Sequence, residues 1–226
     1  MKLVLFDVDG TLVDSQNIIV AAQRAAFEAH GLEPPSRERS LSIVGITLVQ
    51  AMAVLAGPKA PAESIAETYK QVFNELRKDP AYAEPLFPGA REVLERLASR
   101  GDIQLGICTG KSRRGVAHLI EKHGWDQLFT VIKTADDAPS KPDPGMILQA
   151  MAETAAAPAD TIMIGDTTFD MQMARAAGAT PIGVSWGYHP VAAVREAGAE
   201  LIVDSYPELG EALERLLDSS RMSGVR

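Results

Sequence analysis

The stretch LVLFDVDGT, residues 3–11, is a short apolar run that ends in two aspartates, a glycine and a threonine. This composition is typical of a buried parallel strand whose carboxyl end opens into a site. A second stretch, TIMIGDTTFD at residues 161–170, repeats the arrangement. Carboxylates gathered at one sheet edge repel one another unless a divalent cation lies between them, and hard oxygen ligands suit Mg²⁺. The two stretches together predict a metal site suited to phosphoryl transfer.

Short apolar runs recur along the chain and alternate with stretches of helical spacing. The runs lie at residues 3–6, 103–109, 129–134, 161–166, 180–184 and 201–203. Between them, apolar residues recur at intervals of three and four, as in Ala90, Val93, Leu94 and Leu97. Strand and helix in alternation predict parallel βαβ units. The fold class is therefore α/β, with a doubly wound, Rossmann-like parallel sheet.

The segment after the first strand breaks this alternation. It contains three helical patterns, at residues 18–30, 46–55 and 62–76, and a loop at residues 33–36. Consecutive helices cannot belong to the sheet, so we expect residues 15–85 to form a small α-helical cap domain. The core domain then comprises residues 1–14 and 86–218, with hinges at residues 12–16 and 82–89. The polar residues 219–226 are predicted to be a disordered tail.

The bulk composition narrows the range of partners and compartments. The chain has 226 residues and a net charge of −8, which is unfavourable for binding nucleic acid. No apolar run approaches the ~18 to 20 residues of a membrane span, and no signal peptide is visible. Cys108 is the one cysteine, and its apolar neighbours predict a buried, inert thiol. We expect a cytoplasmic protein that acts on a small molecule without binding nucleic acid or membrane, as a monomer or a homodimer.

Each motif has both a chemical and a purely structural interpretation. Asp7 and Asp9 could act as nucleophile and acid–base pair, or Asp9-Gly10 could be an ordinary turn. Asp170 could approach a metal ion, or it could form a capping box with Thr167. The other candidates are a fixed cation at Lys141 and a phosphate cradle at Thr109, Gly110 and Lys111, and around Gly10 and Thr11.

Taken in order, these motifs resemble those of the haloacid dehalogenase-like hydrolase superfamily. The match consists of D-x-D-G-T at residues 7–11, Thr109, Lys141, and G-D-x-x-x-D at residues 165–170. The resemblance spans the whole chain, since the helical insert is similar to the small helical cap of that family. It implies a phosphatase rather than a dehalogenase, because the dehalogenase branch lacks the second aspartate of the first motif.

The resemblance also implies a role for each matched residue. Asp7 would be the nucleophile that forms an aspartyl-phosphate, and Asp9 would be the acid and base. Mg²⁺ would be held by Asp7, Asp166 and the backbone carbonyl of Asp9. Asp170 would lie next to these ligands without binding the metal directly. Thr109 and Lys141 would hold the phosphoryl oxygens. Gly10, Thr11, Gly110 and Lys111 remain the candidates for substrate binding that the residues themselves suggest.

Within the superfamily, the chain is most similar to the phosphoglycolate phosphatase group. The similarity rests on VGITL at residues 44–48, CTGK at 108–111 and SKP at 140–142. Arg39, Gly45 and Thr47 are candidates to reach the leaving group, or else a solvated arginine and a helix boundary. Pyrophosphate and nucleotide phosphatases, a sugar-phosphate mutase and a catalytically silent binding protein remain alternatives.

Overall fold

Six parallel strands form one sheet in the computed structural model, which describes residues 1–222. The strands follow the spatial order β3-β2-β1-β4-β5-β6, so the chain winds outward in both directions from β1. Their bounds are β1 Lys2–Phe6, β2 Ile103–Cys108, β3 Val131–Lys133, β4 Thr161–Gly165, β5 Thr180–Val184 and β6 Leu201–Val203. The predicted α/β class with a doubly wound parallel sheet is confirmed.

The central strand β1 is buried on both faces. Val4 and Phe6 point into one apolar cluster, whereas Leu3 and Leu5 point into another, because successive side chains of a strand alternate between faces. A strand buried on both sides needs apolar residues at every position, and this explains the unbroken run that begins at Leu3. The β1 register places Phe6 beside Ile107 of β2 and Ile164 of β4. The residues that follow these three strands therefore meet at one edge.

Helices cover both faces of the sheet. Those of the first face are α5 Ala90–Ala98, α6 Arg113–His123 and α10 Tyr206–Met222, and those of the second are α7 Gly145–Thr154 and α8 Thr168–Ala177. The short helix α9, Val191–Glu196, packs near β5 and β6. Helix α10 buries Tyr206, Leu209 and Leu213 and continues to Met222, past the predicted start of a disordered tail at Ser219. The last predicted tail residues, 223–226, lie outside the described residues.

Four helices are inserted between β1 and α5. They are α1 Gln16–Ala29, α2 Arg37–Leu41, α3 Leu48–Ala56 and α4 Ala62–Leu76. The insert has an apolar cluster of its own, in which Phe27, Met52 and Ile65 are buried. Helix α2, which the sequence patterns did not predict, is only five residues long, and it begins where the Ser36 hydroxyl accepts a hydrogen bond from the Arg39 amide.

The segments that enter and leave the insert lie side by side. The Asp14 amide donates to the Pro85 carbonyl at 2.9 Å, and the Phe87 amide donates to the Leu12 carbonyl at 3.0 Å. An isolated antiparallel bridge joins Val13 to Leu86 between them. The insert is thus attached through one short, hydrogen-bonded pair of segments.

Candidate active site

Three buried aspartates meet at the carboxyl edge of the sheet. Asp7 follows β1, Asp166 follows β4, and Asp170 lies in the first turn of α8. Each offers a carboxylate oxygen within 4.8 Å of the others, and each side chain is almost entirely buried. Buried carboxylates are almost always paired or bound to a metal, since the charged form is poorly solvated in the interior.

The predicted site residue Lys141 lies within this cluster of aspartates. Lys141 Nζ is 2.7 Å from Asp170 Oδ1 and 3.0 Å from Asp7 Oδ1, and its side chain is fully buried. Burial alone would lower the pKa of Lys141, but Asp170 and Asp7 outweigh it and raise that pKa, so the lysine stays charged. One cation therefore faces three carboxylates, which leaves the cluster short of positive charge.

The carboxylate oxygens of Asp7 are suited to an additional cation. Neither Oδ1 nor Oδ2 has a geometrically proper hydrogen bond within the described part of the chain. Desolvation, together with the charge of Asp170, raises the pKa of Asp7 to about 6 in spite of Lys141. Desolvation likewise raises the pKa of Asp166 well above its ordinary value. A donor set of three carboxylates, in which Asp7 Oδ2 has no partner among the described residues, fits a hard divalent ion such as Mg²⁺.

Gly10 and Thr11 position Asp166 in this structure. The Thr11 hydroxyl donates to Asp166 Oδ1 at 2.8 Å, and the Tyr188 amide donates to Asp166 Oδ2 at 2.8 Å. Gly10 has a φ of +85°, and a Cβ atom there would lie only 2.3 Å from Asp166 Oδ2. Glycine is therefore needed for both the turn and the close approach. Tyr188 was not among the predicted residues, since its contribution is a backbone amide.

Asp170 combines the two interpretations that the sequence left open. Thr167 and Asp170 form a complete capping box: the Thr167 hydroxyl accepts from the Asp170 amide at 3.2 Å, and Asp170 Oδ2 accepts from the Thr167 amide at 3.1 Å. The other oxygen, Oδ1, accepts from Lys141. Asp170 thus begins helix α8 and also lies in the acidic cluster.

Asp9 belongs to a different network from the three clustered aspartates. Its Oδ1 accepts from the Ser15 hydroxyl at 2.6 Å and from Lys111 Nζ at 2.8 Å. Lys111 also contacts Glu84 Oε1 at 3.1 Å, and Arg77 Nε contacts Glu84 Oε2 at 2.9 Å. The carboxylate of Asp9 is not part of the metal-binding group, so any contribution to a metal would have to come from its backbone, as the resemblance implied.

The electrostatics of this network depend on mutual pairing. Although burial would raise the pKa of Glu84, Lys111 and Arg77 lower it. Burial would lower the pKa of Lys111, but Asp9 and Glu84 raise it. No sequence pattern predicted Ser15, Arg77 and Glu84 as site residues, because a serine, an arginine and a glutamate in or next to the insert have no distinguishing motif.

The loop after β2 connects the site to the insert. The buried Thr109 hydroxyl accepts a hydrogen bond from the Lys111 amide at 3.2 Å. A Cβ atom on Gly110 would lie 2.4 Å from the Gly45 carbonyl oxygen and 2.8 Å from that of Ile46. Glycine at position 110 therefore allows direct backbone contact between the core and the insert.

The predicted insert residues occupy different places. Gly45 and Thr47 line the cavity between insert and sheet edge, and the Thr47 amide donates to Ser140 Oγ at 2.9 Å. The Arg39 guanidinium instead donates to the carbonyls of Val54 and Leu55, at 3.4 and 3.3 Å, near the end of α3. Arg39 is not among the residues that line the cavity. The Arg39 side chain therefore caps the C-terminal end of helix α3.

The cavity over the aspartates has a volume of about 540 Å³. Its floor contains Asp7, Asp9 and Thr109, and its roof comes from α1, the 43–51 segment and α4. Arg114 lines its mouth, whereas Arg113 pairs with Asp137 at the surface. The buried Cys108 lies behind the floor, and desolvation raises the pKa of its thiol to about 12, as expected of an inert cysteine.

The chain matches the family model described as haloacid dehalogenase-like hydrolase over residues 4–184. It therefore belongs to this family of hydrolases, as the motifs implied.

In the described part of the chain, no helix has the length and apolar character needed to span a membrane.

Curated relatives match nearly the whole chain. "Probable phosphatase IndB" of Dickeya dadantii is 34% identical over 221 residues, with 96% of each chain covered. "Phosphoglycolate phosphatase" of Agrobacterium fabrum is 31% identical and covers 93% of this chain and 91% of its own. "N-acetylmuramic acid 6-phosphate phosphatase" of Pseudomonas aeruginosa is 29% identical, with 96% of each chain covered. These names and the family model confirm the prediction of a phosphatase.

Solved structures share the fold, including the insert. A hydrolase from Pseudomonas syringae superposes with a TM-score of 0.83 at 26% identity, covering 95% of this chain and 99% of its own. A structure from Bacteroides vulgatus named "Putative beta-phosphoglucomutase" has a TM-score of 0.81 at 25% identity. The superposition covers 97% of this chain and 89% of that structure's chain. The mutase alternative therefore has a structural counterpart.

Proposed function

We propose that the chain is a Mg²⁺-dependent phosphatase that hydrolyses a small phosphorylated metabolite through an aspartyl-phosphate on Asp7. The observation that carries this proposal is the state of Asp7. Its carboxylate is buried beside Lys141 at the floor of a cavity, and neither of its oxygens has a proper hydrogen-bond partner among the described residues. A nucleophile needs a free lone pair that faces the substrate, and these oxygens supply one.

In the first step, an oxygen of Asp7 attacks phosphorus, and the bond between phosphorus and the ester oxygen breaks. Lys141 and the Thr109 hydroxyl hold the phosphoryl oxygens, while Asp166 and Asp170, together with Asp7, are the residues that would hold Mg²⁺. The bound cation would neutralise charge that the phosphoryl group and the carboxylates share. Gly10 and Thr11 keep Asp166 in place, and the backbone of Gly110 and Lys111 borders the phosphoryl site.

Asp9 moves the protons in both steps. It gives a proton to the departing alkoxide, and in the second step it removes a proton from the water that attacks phosphorus. The products are an alcohol and inorganic phosphate, and Asp7 is regenerated. Ser15 and Lys111 hold Asp9 through one oxygen, Oδ1, so the carboxyl group is oriented before the substrate arrives.

The insert acts as a cap domain in this proposal. Residues 15–85 would move about the paired segments near residues 12–16 and 82–89, closing the cavity over the substrate. Gly45 and Thr47, which line the cavity, are the predicted insert residues placed to approach a leaving group. The cytoplasmic location and the choice between monomer and homodimer stay predictions.

The names of the relatives suggest two kinds of substrate. Phosphoglycolate is a phosphorylated two-carbon acid, whereas N-acetylmuramic acid 6-phosphate is a phosphorylated sugar derivative. The second candidate function is a sugar-phosphate mutase, favoured by the likeness to the Bacteroides vulgatus structure. The two functions differ in outcome, since a mutase returns an isomer of its substrate and releases little inorganic phosphate.

The test is inorganic phosphate release from acetyl phosphate and a panel of phosphate monoesters, with Mg²⁺ and with EDTA. We expect Mg²⁺-dependent release by the native protein and at least about a 10³-fold loss of kcat in Asp7→Asn. Asp126→Asn, at an exposed surface position, is the control. Isomerisation of a sugar phosphate without net phosphate release would favour the mutase, and substantial turnover by Asp7→Asn would overturn the assignment of the nucleophile.

A further inference from the structure

Two residues of the insert that line the cavity each carry a buried polar atom without a hydrogen-bond partner in the described part of the chain. Gln23 of α1 is only 2% exposed, and its Oε1 has no hydrogen-bond partner among the described residues. Arg77, just after α4, has a buried Nη2 in the same state, although its Nε is bonded to Glu84. Both residues line the cavity above Asp7. Unpartnered buried polar atoms are costly, so two of them on residues that line one cavity point to a ligand that satisfies them.

The rest of the roof is mixed. Ile19, Ile43, Val44 and Phe73 supply apolar surface, and α4 adds polar side chains such as those of Glu67, Lys70 and Asn74. The volume of about 540 Å³ lies within the range of roughly 300–1,000 Å³ that is usual for small-molecule sites. A two-carbon leaving group would leave most of this space to water and would be too short to contact both the floor and the roof.

The charges of the cavity wall are balanced. Four acidic and four basic residues line it: Asp7, Asp9, Glu67 and Asp136, and Lys70, Arg77, Lys111 and Arg114. The two cations that are mostly buried are already paired, Lys111 with Asp9 and Glu84, and Arg77 with Glu84. A second anionic group on the substrate would thus find no buried cation in the cavity wall that lacks a carboxylate partner.

We propose that this cavity binds an uncharged, hydroxyl-bearing leaving group of carbohydrate size, with Gln23 Oε1 accepting from a hydroxyl and Arg77 Nη2 donating to an oxygen. The inference rests on the proposed phosphatase function and narrows it to phosphate monoesters of sugars or polyols. It disfavours phosphorylated carboxylic acids, 2-phosphoglycolate included.

Matched pairs of substrates test the charge and size of the leaving group. Glycerol 3-phosphate and 3-phosphoglycerate share a three-carbon skeleton, and glucose 6-phosphate and 6-phosphogluconate share a six-carbon one. We expect kcat/KM to be at least about tenfold higher for the uncharged member of each pair, and higher for glucose 6-phosphate than for glycerol 3-phosphate. A preference for the carboxylates or for 2-phosphoglycolate would overturn the inference and leave the phosphatase function standing.

The variant Gln23→Leu keeps the approximate volume and removes the amide. We expect it to lower kcat/KM for glucose 6-phosphate about tenfold more than for acetyl phosphate, whose leaving group is too small to reach the roof, chiefly through KM. Ser40→Ala is the matched control, because Ser40 Oγ is another buried, unpartnered atom of the insert but does not line the cavity. Its ratio of the two kcat/KM values should equal that of the native protein.

The results for Gln23→Leu and for the native protein test different claims. Equal losses on both substrates in Gln23→Leu, or none, would overturn the role of Gln23. Thermal melting of both variants shows whether a loss reflects unfolding, and Gln23→Met provides a second apolar substitution if the leucine variant does not fold. Absence of phosphate release from acetyl phosphate and every monoester by the folded native protein would overturn the proposed function itself, and the inference with it.

Discussion

Burial changes the pKa and the hydrogen bonding of the Asp7 carboxylate. This carboxylate is removed from water and lies near Asp170, and Lys141 offsets these effects only in part. The same conditions that raise its pKa leave its oxygens without hydrogen bonds, so the group is unstable as an isolated anion. A bound cation would relieve this instability and keep Asp7 ionised at neutral pH.

The pKa of Asp7 predicts how stability depends on pH in the absence of metal. Its folded pKa of about 6 lies above the ordinary 3.8, so the folded protein binds this proton more tightly. Stability is consequently lost as the pH rises from about 4 to 6 and is not regained above that. Asp7→Asn lacks this group and should be more stable than the native protein in EDTA, by about 3 kcal/mol at pH 7.5 and about half as much at pH 5.

Urea denaturation of both proteins at the two pH values checks this prediction. Comparing the two proteins at each pH cancels the contributions of titrating groups that lie far from Asp7. Saturating Mg²⁺ should reduce or reverse the difference, because only the native carboxylate binds it. A difference in unfolding free energy that does not change with pH would contradict the prediction.

Lys141 is predicted to be the most damaging lysine to remove. Lys141→Ala leaves Asp7 and Asp170 buried without their shared cation, and breaking a buried ion pair in this way typically destabilises by about 3–5 kcal/mol. Lys70→Ala, which removes an exposed pair with Glu67, should change stability by less than about 1 kcal/mol. Similar urea midpoints for the two variants would refute this account of the cluster.

At the scale of elements, the core and insert meet through backbone contacts. The loop after β2 contacts the 45–46 segment at Gly110, and Ser140, just before Lys141, accepts from the Thr47 amide. Both contacts join loops that carry proposed catalytic residues to the roof of the cavity. The position of the insert therefore depends on the same loops that hold the phosphoryl group.

Gly110→Ala tests this coupling. A methyl group there would meet the Gly45 carbonyl oxygen at 2.4 Å, so the insert must shift away from the sheet edge. We expect kcat/KM to fall about 10- to 100-fold, because a misplacement of about 1 Å is enough to disturb catalysis. The melting temperature should fall as well, because the clash with the backbone must be relieved. Gly101→Ala is the control, since a Cβ atom there has nothing within 4 Å. Equal kcat/KM in the two variants would contradict the coupling.

Elements that the sequence pattern predicted well are those with long apolar periodicity. Helices α1, α4, α5 and α6 coincide closely with the predicted stripes. Helix α2 has only five residues, too few for a periodic pattern. Helix α3 begins at Leu48 rather than Ile46, because residues 45–46 are in contact with the core. Such boundaries are set by contacts with distant residues.

At the scale of the whole molecule, metal binding is expected to be linked to folding. Three acids from two strand ends and one helix converge only in the folded chain, so a cation that binds there stabilises the native state. Mg²⁺ should raise the melting temperature at pH 7.5 relative to EDTA. Asp166→Asn should weaken the metal response at least about tenfold in Mg²⁺ concentration, measured by melting and by phosphate release.

Asp126→Asn is the matched control for this metal titration, because Asp126 is exposed and lies outside the acidic cluster. Its Mg²⁺ dependence should overlay that of the native protein. A titration of Asp166→Asn that also overlays the native curve would exclude Asp166 as a ligand.

The sequence by itself determined the sheet, its doubly wound class and the convergence of Asp7, Asp166 and Asp170. Apolar runs specify buried parallel strands, and the carboxyl ends of such strands share one edge, so residues distant in the chain could be placed together. Only the tertiary structure decided that Asp9 bonds to Lys111, that Arg77 pairs with Glu84, and that Gln23 lines the cavity. These contacts depend on how the insert packs over the sheet edge, and no local pattern in the chain encodes that packing.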